Sequence, residues 1–588
     1  MAIRRGVRFV LVLIALAVFV SAACLVLVSM VVSRGPQVAN EATLVLRPGG
    51  DLAEIPSNNV LGQFIGGEET TVRGFVESLD KARRDPRITS VLLRPSEFSS
   101  PYWGKLQELR NAVIRFRTSG KRVVAFLEYG GEREYYLASA ADVVYLLPTS
   151  PLDLTGVASY EIFLRGALDK VGAYPDFLHV GNYKTAINQF TEKGFTPAHR
   201  EMSEALNRDT YDQLIHSIAE ARKKSDAEIR DIFDQGPFTP EQAKQAGLVD
   251  DLAYEDQLDD RAHDLGIGSD SDLVEGSEYQ RVSLASLGVR PRSRIAVLYI
   301  VGTIVSGKSS YDATNGELVG SDTVVDQIRR IRRDPSVKAI VLRIDSPGGS
   351  SVASDVIWRE LVITRDQVPS RPMIASMSDL AASGGYYVAL PAQTIVAQPG
   401  TLTGSIGVFM GKVAIGGTLG KVGVTTETVK SGKNADIYSP VSAFTPDQRE
   451  KLGEYMQVFY NTFVEKVATS RHSTPEKIHG VAQGRVWTGA QAKERGLVDE
   501  LGGLDRAVAL AKMSAKIPAN EDVELIAYPG RRTLYETLSQ QFGGASIFGD
   551  LKSAIGGNEV AALSSLSSPL RMFRRGEPLA LMPFAILR

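Results

Sequence analysis

The sequence predicts an α/β protein made of two tandem homologous halves behind an N-terminal transmembrane helix. Three observations carry that expectation. Short apolar runs alternate with longer helical patterns: "ITSVLL" (88–93) precedes "YWGKLQELRNAVIRFR" (102–117), and "KAIVLRI" (338–344) precedes "SDVIWRELVITR" (354–365). Such alternation marks parallel strands linked by crossover helices. Whole segments also return at one spacing. "RRDPRITSVLLR" (83–94), "FTPAHRE" (195–201) and "QAKQAGLVDDL" (242–252) reappear as "RRDPSVKAIVLR" (332–343), "FTPDQRE" (444–450) and "QAKERGLVDEL" (491–501), each displaced by 249 residues. One register held over so much chain marks a duplicated domain of roughly 220 residues, far longer than a solenoid repeat. The third observation is the apolar run Val7–Ser33, broken by charge only at Arg8.

That run comes first in the chain. It exceeds the ~20 apolar residues that span a bilayer and the roughly 7–15 of a cleaved signal peptide. "SAAC" (21–24) hints at lipoprotein processing, but no leucine stands three residues before Cys24. Residues 7–33 are therefore expected to stay as an anchor. Arg4, Arg5 and Arg8 precede its core and only Arg34 follows closely, which places residues 1–6 in the cytoplasm and the bulk of the protein on the extracytoplasmic side. The halves are expected at 40–265 and 290–525, with the polar stretch Asp256–Pro291 as their connection. A tail, 526–588, has no role legible in its sequence.

Composition narrows the chemistry. A chain of 588 residues, 44% hydrophobic and 23% charged, has room for two or more domains. A formal net charge of −2 gives no reason to expect nucleic acid as a partner. The one cysteine, Cys24, lies inside the apolar run, which leaves no disulfide, cysteine-rich zinc site or soluble thiol nucleophile. The six histidines form no HExxH or similar ligand pair. No metal and no cofactor are expected. "GGTLGKVG" (416–423) lacks the Walker spacing, and Ser78-Leu79-Asp80-Lys81 sits in a charged helix with no KTG after it.

Differences between the copies point to a site. The second half has "IDSPGGSS" (344–351) where the first has "RPSEFSS" (94–100), and "AASGGYY" (381–387) where the first has "GEREYY" (131–136), with Glu132 facing the place of Ser383. Ser383 follows a short apolar strand and precedes a helical run. A serine there is either a helix N-cap or a nucleophile presented at a strand-to-helix turn. Both copies need the turn, yet only one carries the serine and the glycine-rich loops, which favours chemistry.

A serine nucleophile needs a base, and no histidine lies close in sequence. A lysine serves if burial lowers its pKa. Lys184, in "HVGNYKTAINQF" (179–190), is one candidate. Its second-half counterpart is ambiguous: aligned from "KVG" it faces Ala435, and aligned from "FTP" it faces Lys433. On the first register each half has lost what the other keeps. The base is therefore Lys184 or Lys433.

These residues resemble the signal peptide peptidase A (protease IV) family in its long bacterial form. "DSPGGS" (345–350), "LAASGGYYVA" (380–389), "TLTGSIGVF" (401–409), "GNYKTA" (181–186), the anchor and both halves carry the resemblance over nearly the whole chain. It implies two domains with the ClpP/crotonase-like fold, Ser383 as nucleophile, Lys184 as general base and Ser405 as a residue that orients the lysine. The oxyanion hole would use N–H groups of Gly384 and of Gly348 or Gly349. It further implies a homotetramer that degrades signal peptides and other short or unfolded apolar peptides. Two other readings stay open at the sequence level, a crotonase-type acyl-CoA enzyme and an inactive scaffold for membrane quality control. The anchor and the Ser-Gly-Gly turn argue against the first, and the intact serine and lysine against the second.

Overall fold

The computed structural model describes residues 38–55, 71–260, 272–312, 316–530, 578–582 and 586–587, together with Leu16, Phe19 and Val20. Apart from these three residues the expected anchor, 7–33, lies outside the described residues. Among those described, no helix is long and apolar enough to cross a membrane.

The repeated motifs turn out to be helix and strand boundaries. In both "FTP" segments the threonine, Thr196 or Thr445, caps a long helix (Pro197–Arg222 and Pro446–Ser470) whose first residue is the proline. Proline fits there because its missing N–H is not needed in the first turn. Both "QAK…GLVD" segments place a capping box, Thr239 with Gln242 and Thr488 with Gln491, ahead of a short helix. In each "RRDP" the aspartate, Asp85 or Asp334, closes a helix and leads into the next strand.

Each half builds one sheet around six parallel strands. In the first, the strand order is Asp251–Leu252, Val143–Leu146, Arg122–Leu127, Ile88–Leu93, Ala42–Leu46, Leu273–Glu275. In the second it is Glu500–Leu501, Thr394–Ala397, Met373–Ala382, Val337–Ser346, Ser293–Val301, Val523–Tyr528. These six strands follow the same order in both halves, so the duplication extends to topology. The second sheet adds Leu402–Gly404 beside Met373–Ala382, with Val486–Thr488 antiparallel to that added strand. One expectation is corrected here. Leu273–Glu275 lies in the stretch taken as a connection, yet it is an edge strand of the first sheet, paired with Thr43–Val45. Three residues are too few to show a period, and its partner is some 230 residues away in sequence.

Helices cover both faces of these sheets, so the central strands read as apolar runs rather than as alternations. Met373–Ala382 is buried at every position. A third sheet joins the halves. Its order is Ser310–Asp312, Gly316–Gly320, Thr303–Val305, Gly348–Ser350, Leu579–Leu581, Val408–Ala414, Tyr174–Val180. The first-half strand Tyr174–Val180 runs antiparallel to Val408–Ala414 of the second half along its full length. That pairing decides where Lys184 goes.

Candidate active site

Ser383 stands at the junction of the buried strand Met373–Ala382 and the helix Gly384–Ala389. It occupies the N-cap position, but its side chain makes no capping bond. Its backbone has φ 56° and ψ −112°, a conformation that L-residues rarely adopt and that is held only where the surroundings impose it. Here Ser383 N–H donates to Gly404 O at 2.8 Å. The turn aims Oγ away from the helix.

That Oγ meets Lys184. The lysine sits just beyond Tyr174–Val180, where the chain turns through Gly181 at φ +102°. Its Nζ lies within hydrogen-bond distance of Ser383 Oγ at 2.8 Å, Ser405 Oγ at 2.9 Å and Ser405 O at 3.0 Å. Lys184, Ser383 and Ser405 are all 0% exposed. No carboxylate faces the ammonium, so burial alone drives the Lys184 pKa well below its ordinary value. A neutral amine within hydrogen-bond reach of a hydroxyl can take its proton. Ser405 also has a positive φ, 49°, and its N–H donates to Arg485 O at 2.7 Å.

The other candidate lysine stands apart. Lys433 is on the surface, with its side chain 75% exposed, and pairs with Asp447 at 2.7 Å. The hydrogen bond to that carboxylate raises its pKa, the opposite of what a base at neutral pH needs.

The glycines form the facing wall. Gly348 (φ +100°) leads the short strand Gly348–Ser350, and a Cβ built on it would stand 2.7 Å from Gly384 N. The two main chains approach too closely for any side chain. The Gly348 N–H donates to Ser346 Oγ at 3.2 Å.

The sequence pattern of peptidase family S49 matches residues 115–266 and 365–518, one span in each half. The chain belongs to peptidase family S49. Protease 4 of Salmonella typhi is 34% identical to it over 504 residues, 82% of this chain and 80% of that protein. The chloroplastic serine protease SPPA of Arabidopsis thaliana is 36% identical over 455 residues, 76% of this chain and 66% of its own. Among solved structures, a ClpP1 variant from Listeria monocytogenes covers 36% of the chain and 94% of its own, at 12% identity and a TM-score of 0.23. This S49 peptidase is thus a serine peptidase of the protease 4 type.

Sequence reasoning missed the supports of the S49 site. Gly484 (φ +81°) packs so tightly under the lysine that a Cβ on it would lie 2.5 Å from Lys184 N and Cα. Tyr183 N–H donates to Gln483 O at 2.9 Å, fixing the same contact. Lys105 of the first half reaches Asp345, the acid of "DSPGGS", at 2.7 Å, and its backbone N–H donates to Asp379 Oδ1 at 2.8 Å. Burial would lower Lys105, but the Asp345 and Asp379 carboxylates outweigh it and keep the ammonium charged. Asp345 lay inside a motif already singled out, whereas nothing local marks Gly484 or Lys105.

Proposed function

We propose that this serine peptidase cuts apolar peptides by a Ser383–Lys184 acyl-enzyme mechanism. The observation that carries the reading is the 2.8 Å contact between Lys184 Nζ and Ser383 Oγ in a site without a carboxylate. Neutral Lys184 takes the Ser383 proton as Oγ attacks the scissile carbonyl, giving a tetrahedral oxyanion. N–H groups of Gly384 and of Gly348 or Gly349 receive its charge, and the Gly348 N–H would exchange its bond to Ser346 Oγ for the oxyanion. The Lys184 ammonium then protonates the leaving amine as the C–N bond breaks. In deacylation the lysine takes a proton from water, hydroxide adds to the ester, and the proton returns to Ser383 Oγ. Ser405, bonded to Nζ through both of its oxygens, orients the amine in this reading.

The proposed substrates are cleaved signal peptides and other short or unfolded apolar chains, added as a strand beside the glycine loop. Residues 7–33 would hold the enzyme in a bacterial inner membrane with the catalytic halves in the periplasm. Exposed apolar side chains support a homotetramer. The spacing of 249 residues makes 423–429 the counterpart of Tyr174–Val180, yet this segment lies outside any sheet, with Val424 46% and Val429 101% exposed. Head-to-tail contacts of that kind close into rings.

Single-turnover acylation by a peptide ester tests the mechanism. Ser383→Ala should abolish it, and Lys184→Ala should slow it by about 10⁴-fold, because nucleophile and base act as a unit. Lys433→Ala should match the parent. A dead Lys433→Ala beside an active Lys184→Ala would overturn the assignment of the base.

A further inference from the structure

The tail left without a role by its sequence contributes a strand to the third sheet. Leu579–Leu581 lies between Gly348–Ser350 and Val408–Ala414 and is antiparallel to both. Its register sets Leu581 against Gly348, Ala580 against Gly349 and Leu579 against Ser350. The bonds continue at either end: Met582 N–H donates to Pro347 O at 2.9 Å, and Ser351 Oγ donates to Pro578 O at 2.7 Å. Remove this strand, and two sheet edges face each other across a slot one strand wide. The slot passes over the catalytic turn. The Ala580 carbonyl oxygen lies 2.0 Å from where a Cβ on Gly348 would stand and 3.3 Å from where one on Gly384 would stand.

The side chains alternate as in any strand filling a two-sided slot. Leu579 and Leu581 enter one apolar cluster, among Phe177, Ile187, Phe190 and Phe409. Met582 enters the other, against Leu380, Ala382 and Leu402 of the serine-bearing half. All four residues from Leu579 to Met582 are at least 96% buried. Main-chain bonds on both edges with apolar pockets on both faces are what an extended apolar peptide requires. A separate observation agrees: with this strand in place Ser383 and Lys184 are 0% exposed, while hydrolysis requires both a peptide and water to reach them.

We propose that the segment Pro578–Met582 is a resident competitor, holding in cis the strand position that a peptide substrate must take. The inference rests on the reading of the glycine loop as the substrate edge, and its test uses no turnover. A segment on the same chain acts at an effective concentration up to about the millimolar range, so an incoming peptide must bind against it. Displacing the tail opens the groove, and the apolar residues it uses state the side chains the groove accepts.

The probe is a fluorescein-labelled peptide with the sequence of residues 577–584, bound to the full chain carrying Ser383→Ala so that nothing is cleaved. Adding Leu579→Arg and Leu581→Arg to that chain should expel the tail and tighten probe binding by about 10- to 100-fold, the gain expected when an intramolecular competitor is removed. Equal affinity in the two chains overturns the proposal. Hydrogen exchange on the Ser383→Ala chain with its own tail intact gives a second, independent reading. The Met582 amide should be protected in the free chain and should lose that protection when the unlabelled peptide saturates the groove. Protection that survives saturation, or that is absent from the start, also overturns it.

Discussion

Burial does two things at Lys184. It lowers the pKa of the amine and so favours its neutral form, and it holds Nζ against Ser383 Oγ in a site closed to solvent. Because the amine must be neutral to act, the rate of acylation should rise with pH through an apparent pKa well below the ~10.4 of a free lysine and then level off. A rate that keeps climbing through pH 10 would show that the lysine is not desolvated during the reaction. The same shift acts on stability. The unfolded chain binds a proton at Lys184 below about pH 10.4, and the folded chain does so only below its own depressed value. Between those two points folding expels a proton, so this residue's contribution falls as pH decreases. Lys184→Met should therefore be inactive yet stabilised by about 0.5–2 kcal/mol at neutral pH, as is common when a strained functional group is removed. Thermal unfolding of the two chains at pH 7 and pH 10 measures it, and the gap should narrow at the higher pH.

At the scale of elements, the site is a docking of two turns. The lysine turn, 181–184, belongs to the first half, and the turn Gln483–Arg485 that receives it belongs to the second. Gly484 is required twice, for its φ of +81° and for the absence of a Cβ beside the Lys184 backbone. Gly484→Ala should push the lysine off the serine. A displacement of about 1 Å is enough to lower kcat by about 100-fold, and stability should fall by more than about 1 kcal/mol, since alanine meets both a positive φ and the Lys184 backbone. A kcat within a few-fold of the parent would mean that the turn yields instead. The strand Met373–Ala382 was legible in part. The sequence announced its apolar start, Met373–Met377, but the buried continuation through Ser378 and Asp379 is polar. Those two side chains are satisfied only by partners distant in sequence, Glu54 and Arg343 for Ser378, and Lys105 and Ser100 for Asp379.

At the scale of the whole molecule, a buried ionic cluster ties the halves behind the site. Arg343, on a central strand of the second half, is 0% exposed and makes paired bonds to Glu54 at 2.6 and 2.8 Å and one to Glu108 at 2.8 Å. Burial opposes every charge here. The carboxylates outweigh it for Arg343, and Arg343 outweighs it for Glu54, whereas Glu108 is lifted by its burial. Arg343→Met strands two buried carboxylates and should cost about 3–5 kcal/mol. Adding Glu54→Leu and Glu108→Leu should restore much of that loss, since apolar replacements of a buried cluster are often neutral or better. Urea unfolding of the single and triple variants decides it. A triple variant as unstable as the single one would show that the cluster supports the fold through more than its charges.

The class, the duplication and the asymmetry that singled out Ser383 were legible in the chain alone. All of these are local or periodic, and a chain records local and periodic rules directly. It narrowed the base to Lys184 or Lys433 and went no further, because an alignment that slips by two residues cannot say which lysine is buried. Folding settles which one is buried. The pairing of Tyr174–Val180 with Val408–Ala414 carries Lys184 into a dry contact between halves and leaves Lys433 in solvent. Folding also decided the place of Leu579–Leu581, whose neighbours at Gly348 and Phe409 lie some 170 to 230 residues away along the chain. Contacts between distant segments depend on which surfaces meet after folding, and neither composition nor periodicity encodes that meeting.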